Sequence, residues 1–163
     1  MTESERSQPL GEPMPRKGVR GFSSSLLRKA RADAGFRPDE LARLLGVSRQ
    51  AVTTWESGKS KPSPGMLRAL AEALRVQPAD LAPIREEDLR MGDLRAHAGL
   101  TQIEVADALA VNPTMVGDME RGFRPVSEDQ VTTLTALYGL TDDRVRAVWE
   151  RTYDAVTTRL KPR

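Results

Sequence analysis

The sequence predicts an all-α chain: two five-helix bundles in tandem, behind a flexible N-terminal arm. Three observations lead there. Runs of Val, Ile, Tyr and Thr with period-two alternation are absent, which argues against a sheet. Apolar residues recur instead at helical spacing, in short segments bounded by Ser, Gly and Pro. The chain also repeats itself, without gaps, at an offset of 64 residues. Arg31-Ala32-Asp33-Ala34-Gly35-Phe36 aligns with Arg95-Ala96-His97-Ala98-Gly99-Leu100, and the stretch from Leu41 to Val47 aligns with Val105 to Val111. Val52, Trp55, Glu56, Gly58 and Leu70 then meet Val116, Met119, Glu120, Gly122 and Leu134. Sparse matches that keep size and polarity indicate one fold used twice, and small helical units do fold alone. The expected division is an arm over 1–22, a first domain over 23–83 and a divergent second domain over 84–163.

The elements follow in order. The arm is rich in Pro and Gly and poor in apolar residues, and it ends in the basic cluster Arg16-Lys17-Gly18-Val19-Arg20. Ser23 to Ser25 offer N-caps for a first helix that Gly35 ends. A second helix covers about 39–45, with Pro38 in its first turn, and Gly46 suits the left-handed residue that closes it. Ser48 caps a third helix to about Ser57 that buries Val52 and Trp55. A fourth runs from Ser63 or Pro64 to Leu74, and Pro78 opens a short fifth. The second repeat predicts helices near 87–98, 101–110, 113–121, 127–138 and 142–160. Thr101 with Glu104 is a capping-box pattern, and Asp142 and Asp143 suit the positive end of the last helix.

Composition narrows the chemistry. Only 4% of residues are aromatic, so the cores must be built mostly from Leu, Val, Ala and Met. The absence of cysteine removes disulfides, thiolate metal sites and cysteine nucleophiles, and fits a reducing cytosol. The one histidine, His97, has no catalytic pairing and is expected on the exposed end of a helix. No Gly-rich phosphate loop and no Cys/His metal spacing is present, so an enzyme, a metal and a cofactor are not expected, and no ligand pocket is legible. No apolar run approaches the ~20 residues of a membrane helix, and the start lacks the order of a secretory signal. A cytoplasmic, nucleoid-associated protein is the expectation. Net charge is only +2, but residues 23–83 carry +4 and residues 84–163 carry −3, so the halves are not expected to share one task equally.

A short helix, Gly-Val-Ser and a second short helix form a helix-turn-helix unit, in which the second helix lays its N-terminal residues in the major groove. The stretch Leu41-Ala42-Arg43-Leu44-Leu45-Gly46-Val47-Ser48-Arg49-Gln50-Ala51-Val52-Thr53-Thr54-Trp55-Glu56-Ser57-Gly58-Lys59-Ser60-Lys61-Pro62-Ser63 resembles the Xre family, of the Cro and phage-repressor type. The resemblance covers about 23–82 well and 88–145 more weakly. It implies lambda-repressor-like bundles, binding to double-stranded DNA and transcriptional control. Carried over by position, Arg49, Gln50, Thr53 and Thr54 face bases. Ser48, Lys59, Ser60 and Lys61 hold phosphates, with Arg43 a weaker candidate, while Glu56 braces the fold. Where the family often has Thr-Gln at the second helix's start, this chain has Arg37-Pro38, so Arg37 replaces Gln as the phosphate candidate.

The second repeat keeps Thr101-Gln102, but its reading helix offers Asn112, Pro113, Thr114, Gly117 and Asp118, with no basic residue among them. Its candidate DNA contacts are Gln102, Asn112, Thr114, Arg121 and Arg124. Two readings stay open: a secondary DNA reader, or a copy kept for assembly or a protein partner. The last helix carries Val145, Val148, Trp149 and Val156 along one face. That face either packs within its own bundle or pairs two chains as a homodimer; alternatively, the tandem units let one chain span two sites. Arg far outnumbers Lys and Ala is frequent, as in GC-rich bacterial genomes. The leading expectation is a sequence-specific bacterial regulator, a repressor rather than an activator, with the first domain as main reader. The competing one is a protein-interaction adaptor or antitoxin-like regulator on the same fold.

Overall fold

The computed structural model describes residues 18–162. Among them are ten α-helices and no strand, and 67% of the described residues are helical. The first set is α1 (Ser24–Asp33), α2 (Pro38–Leu45), α3 (Arg49–Glu56), α4 (Pro64–Leu74) and α5 (Pro78–Leu81). A 3-10 turn at Glu86–Asp88 leads to α6 (Met91–His97), α7 (Gln102–Leu109), α8 (Pro113–Glu120), α9 (Glu128–Tyr138) and α10 (Asp142–Leu160). The sixth helix thus starts later than its acidic run suggested, because Glu86, Glu87 and Asp88 are spent in the tighter turn.

Capping residues recur at the same places in both repeats. Ser48 Oγ accepts from Ala51 N, and Asn112 Oδ1 accepts from Met115 N. Ser63 and Ser127 cap α4 and α9 in the same way. Each repeat follows its first four helices with left-handed residues; after the first and third these are glycines in both repeats (Gly35, Gly58, Gly99 and Gly122), and the repeats differ after the second and fourth. Gly46 (φ 69°) and Arg75 (φ 56°) serve the first repeat, and Ala110 (φ 55°) and Gly139 (φ 64°) the second. At these two places each repeat therefore puts one glycine at no steric cost and one side-chain-bearing residue at a strained position.

Two cores form. Leu27, Leu41, Val52, Trp55, Leu67, Leu70 and Leu81 fill the first; Met91, Leu94, Val105, Val116, Val131, Leu134, Val145 and Val148 fill the second. Beside each core lies the same largely buried ion pair. Arg31 reaches Glu56 through Nε (2.5 Å) and Nη2 (3.3 Å), while its Nη1 donates to the Phe36 carbonyl (2.7 Å). Arg95 does the same to Glu120 and to the Leu100 carbonyl. The bracing role expected of Glu56 has this physical form: it ties the end of α3 to α1.

The two bundles are clasped together. Helix α4 packs on α6, and Ala96 of α6 belongs to the first core. The reciprocal pair, α1 and α9, makes no comparable contact among the described residues. The repeats therefore meet head to tail, not about a two-fold axis. Residues 18–22, expected as the arm's end, are instead built into this junction. Val19 is buried in the first core and its N–H donates to the Pro62 carbonyl (3.0 Å). Arg20 grips Asp93 of α6 through two bonds (2.7 and 3.1 Å) and the Asp88 carbonyl through a third (2.7 Å). Asp93, only 5% exposed, holds the Arg20 guanidinium above its ordinary pKa mainly through this hydrogen bond. A five-residue stretch is too short to show periodicity, which is why it read as tail. Residues 1–17, including Arg16 and Lys17, lie outside the described residues. His97 is likewise not on an open helix end: it is half-buried, with Nε2 3.1 Å from the Ala82 carbonyl across the same junction. Burial pulls its pKa below the ordinary 6.5, partly offset by that carbonyl.

The last helix resolves its own ambiguity. Val145 and Val148 are fully buried in the second core, so they are not a free pairing face. Trp149 packs against the same core and stacks on Tyr153 (4.9 Å between centroids). Of the four residues read as a dimer face, Val156 alone lies apart from that core, half-buried. An amphipathic stripe shows that a helix has an inner face but not which neighbour covers it.

Candidate nucleic-acid interface

In the first bundle, the tight turn from Gly46 to Ser48 sets α3 against α2. Val47 donates its N–H to the Ala42 carbonyl (3.0 Å) and packs against the core, which plugs the turn from within. Helix α3 then has one inner and one outer face. Val52 and Trp55 point inward; Arg49, Gln50 and Thr53 are exposed. Arg49 and Gln50 make no side-chain hydrogen bond among the described residues, so their donors and acceptors are uncommitted. Thr53 Oγ1 donates to the Arg49 carbonyl (3.0 Å).

Thr54 has a different job from the base contact expected of it. It is half-buried, its hydroxyl donates to the Ala51 carbonyl (2.8 Å), and Ser60 Oγ lies 3.1 Å from it. Its own carbonyl accepts from the N–H groups of both Lys59 and Ser60. Thr54 thus folds the loop after α3 back onto the helix, and leaves Lys59 and Lys61 exposed beside it. Ser48 is exposed with its oxygen engaged as an N-cap. Arg43 is exposed and forms no ion pair among the described residues, whereas Arg37 is shared between Asp39 and Glu40.

The equivalent surface of the second bundle is tied up internally. Gln102 donates to Glu120 (2.9 Å) and lies over Gly117, where a Cβ would stand 3.6 Å from its amide nitrogen. Asn112 is consumed as the cap of α8. Asp118 is paired with Arg121 (2.7 Å), whose guanidinium also sits over the Phe123 ring (5.7 Å). Only Thr114 and Arg124 remain exposed and unpaired among the described residues. Pairing with Arg121 answers how Asp118 is tolerated on a helix of this type.

The structure also contains what the sequence did not disclose, a cleft of about 500 Å³ between α10, the Glu86–Asp88 turn and the loop after α8. Arg151 lines it, and its Nε and Nη2 are buried without a hydrogen-bond partner. The one available signal was a charged residue in line with Val148 and Ala155 on an otherwise apolar helix stripe. No described helix is long and apolar enough to cross a membrane.

Comparison with known families agrees with this geometry. A family model described as Helix-turn-helix matches residues 27–81, and another described as Helix-turn-helix domain matches residues 89–148. No curated protein and no solved structure matches the chain. The two matches together take in both turns, both helices that follow them (α3 and α8) and both buried Arg–Glu pairs. The chain therefore belongs to the Xre-type helix-turn-helix family, as a DNA-binding regulator that carries two such domains in tandem.

Proposed function

We propose that the first bundle reads a specific DNA sequence through α3 and that the chain acts as a repressor. The observation that carries this is the state of α3: Arg49 and Gln50 stand exposed on its first turn with no internal partner, on a helix whose other face is locked into the core. In this reading Arg49 pairs with a guanine edge, Gln50 with an adenine, and the Thr53 methyl meets a thymine. Lys59, Lys61, Arg43 and the Ser48 hydroxyl hold phosphates, which fixes register and supplies sequence-independent affinity. Arg37 and Ser60 contribute less, because each already has an internal partner. In this reading repression follows by occupation of promoter DNA.

The second bundle, in the same proposal, is a support or partner surface and not an equal reader. Its acidic balance and the internal pairing of Gln102, Asn112, Asp118 and Arg121 favour this. The test is a mobility-shift series on DNA from the chain's own promoter region. Arg49→Ala lowers affinity by about 1–3 kcal/mol and relaxes base choice at one position. Lys59→Ala weakens all sequences alike and flattens the salt slope by about 1. If both variants bind every probe as the parent does, the assignment to α3 is wrong.

A further inference from the structure

We infer that the cleft between α10, the Glu86–Asp88 turn and the loop after α8 binds a small organic carboxylate with an apolar body, and that Arg151 is the residue that holds it. Three observations converge. First, the cleft has the size of a small-molecule site, about 500 Å³. Its walls are mixed: Leu89, Phe123 and Val156 are apolar, and Arg90, Arg151 and Arg159 are cationic.

Second, the charges there do not cancel. The acids around the cleft are already engaged: Glu120 by Arg95 and Gln102, and Glu87 and Asp88 by Arg85. Arg90, Arg151 and Arg159 form no ion pair among the described residues. Third, Arg151 leaves a particular edge unsatisfied. Its Nε and Nη2 each have under 1 Å² of exposed surface and no partner. These are the two nitrogens with which Arg31 and Arg95 grip the carboxylates of Glu56 and Glu120 elsewhere in this molecule. A guanidinium edge of this kind matches a planar carboxylate by two parallel bonds, and a buried charge without such partners is costly. Arg151 lines the cleft while this edge is turned away from solvent, so in this proposal binding requires the edge to rotate toward the cleft about the side chain's torsions.

The site is also mechanically joined to the reading helix of its bundle. Gly122 has φ +76°, and a Cβ there would stand 2.9 Å from the Thr152 carbonyl, so the loop after α8 rests directly on α10. Phe123, 61% exposed, forms the outer lip of the cleft. The second helix-turn-helix match ends at residue 148, and Arg151, Val156 and Arg159 lie on the part of α10 beyond it. The cleft is therefore partly built from an extension to the family's domain. The inference does not depend on DNA reading by α3: a failed mobility shift bears on that helix, and a failed ligand shift bears on this cleft.

The test is thermal unfolding of the full chain at fixed ionic strength with benzoate, cyclohexanecarboxylate and hexanoate, each against its uncharged amide and against inorganic phosphate. The expected result is a rise in Tm of about 2–4 °C with at least one carboxylate, and less with its amide and with phosphate. Arg151→Met abolishes that rise without lowering the Tm of the free protein, since it removes two buried donor nitrogens that have no partner; a merely structural guanidinium would lower it. Val156→Trp, which fills the apolar side from the helix surface, also abolishes the rise and stands in should Arg151→Met fail to fold. No shift with any carboxylate, an equal shift with the amide or phosphate, or a shift that survives either variant overturns the proposal.

Discussion

Helices α3 and α8 hold the same place in two copies of one frame, yet their surfaces differ in kind. On α3 the first-turn side chains, Arg49 and Gln50, have no internal partner. On α8 the corresponding residues are Pro113 and Thr114, and the polar groups around them are bonded to one another. The frame itself is unchanged: both copies keep the buried Arg–Glu pair, the caps and the left-handed turn. A helix-turn-helix is thus two separable things, a brace and a reading edge. This chain has the brace twice, and the proposed reading edge, with Arg49 and Gln50 exposed and unpaired, once.

The largest effect that sharpens the comparison is on the brace. Glu56→Ala and Glu120→Ala each strand a largely buried guanidinium, and each is expected to cost about 3–5 kcal/mol. Chemical denaturation measures this, and similar losses in the two copies would establish a common brace. A loss confined to one copy would break the symmetry claimed here. The left-handed turns give a smaller, opposite pair. Ala110→Gly relieves strain and is expected to stabilise by up to about 1 kcal/mol, and Gly46→Ala to destabilise by a similar amount. Equal signs in the two variants would contradict the turn equivalence.

The smallest effect lies at the junction. Burial lowers the pKa of His97 in the folded chain, so the unfolded chain binds its proton more readily. Stability is therefore full above the ordinary pKa of 6.5 and declines as pH falls below it. His97→Gln removes that part of the pH dependence in melts taken between neutral and mildly acidic pH. A parent and variant that lose stability in parallel over that range would show that His97 does not titrate at the junction.

Much of the fold was legible because its determinants are local. Ser48, Ser63 and Thr101 sit where a helix must start, and Gly46 where one must end in a left-handed turn. The alignment of Arg31 with Arg95 and of Glu56 with Glu120 was also visible, but not that each Arg meets its Glu across 25 residues. What remained hidden was non-local. Val19 and Arg20 look like tail until the Pro62 carbonyl and Asp93 are brought beside them. Thr54 looks like a base reader until its hydroxyl is seen against Ala51 and Ser60. Val145 and Val148 left two readings open, their own bundle or a second chain, because a stripe does not name the surface that covers it.

The central claim is that only the first copy presents a reading edge, and matched substitutions at one structural position test it most directly. Gln50 and Thr114 occupy equivalent places in the second position of α3 and α8. With Gln50→Glu and Thr114→Glu, affinity for promoter DNA is measured by titration at one fixed salt concentration. The expected result is a loss of about 1–3 kcal/mol for Gln50→Glu and a change within about 0.5 kcal/mol for Thr114→Glu. Equal losses, or a larger loss at Thr114, would contradict it.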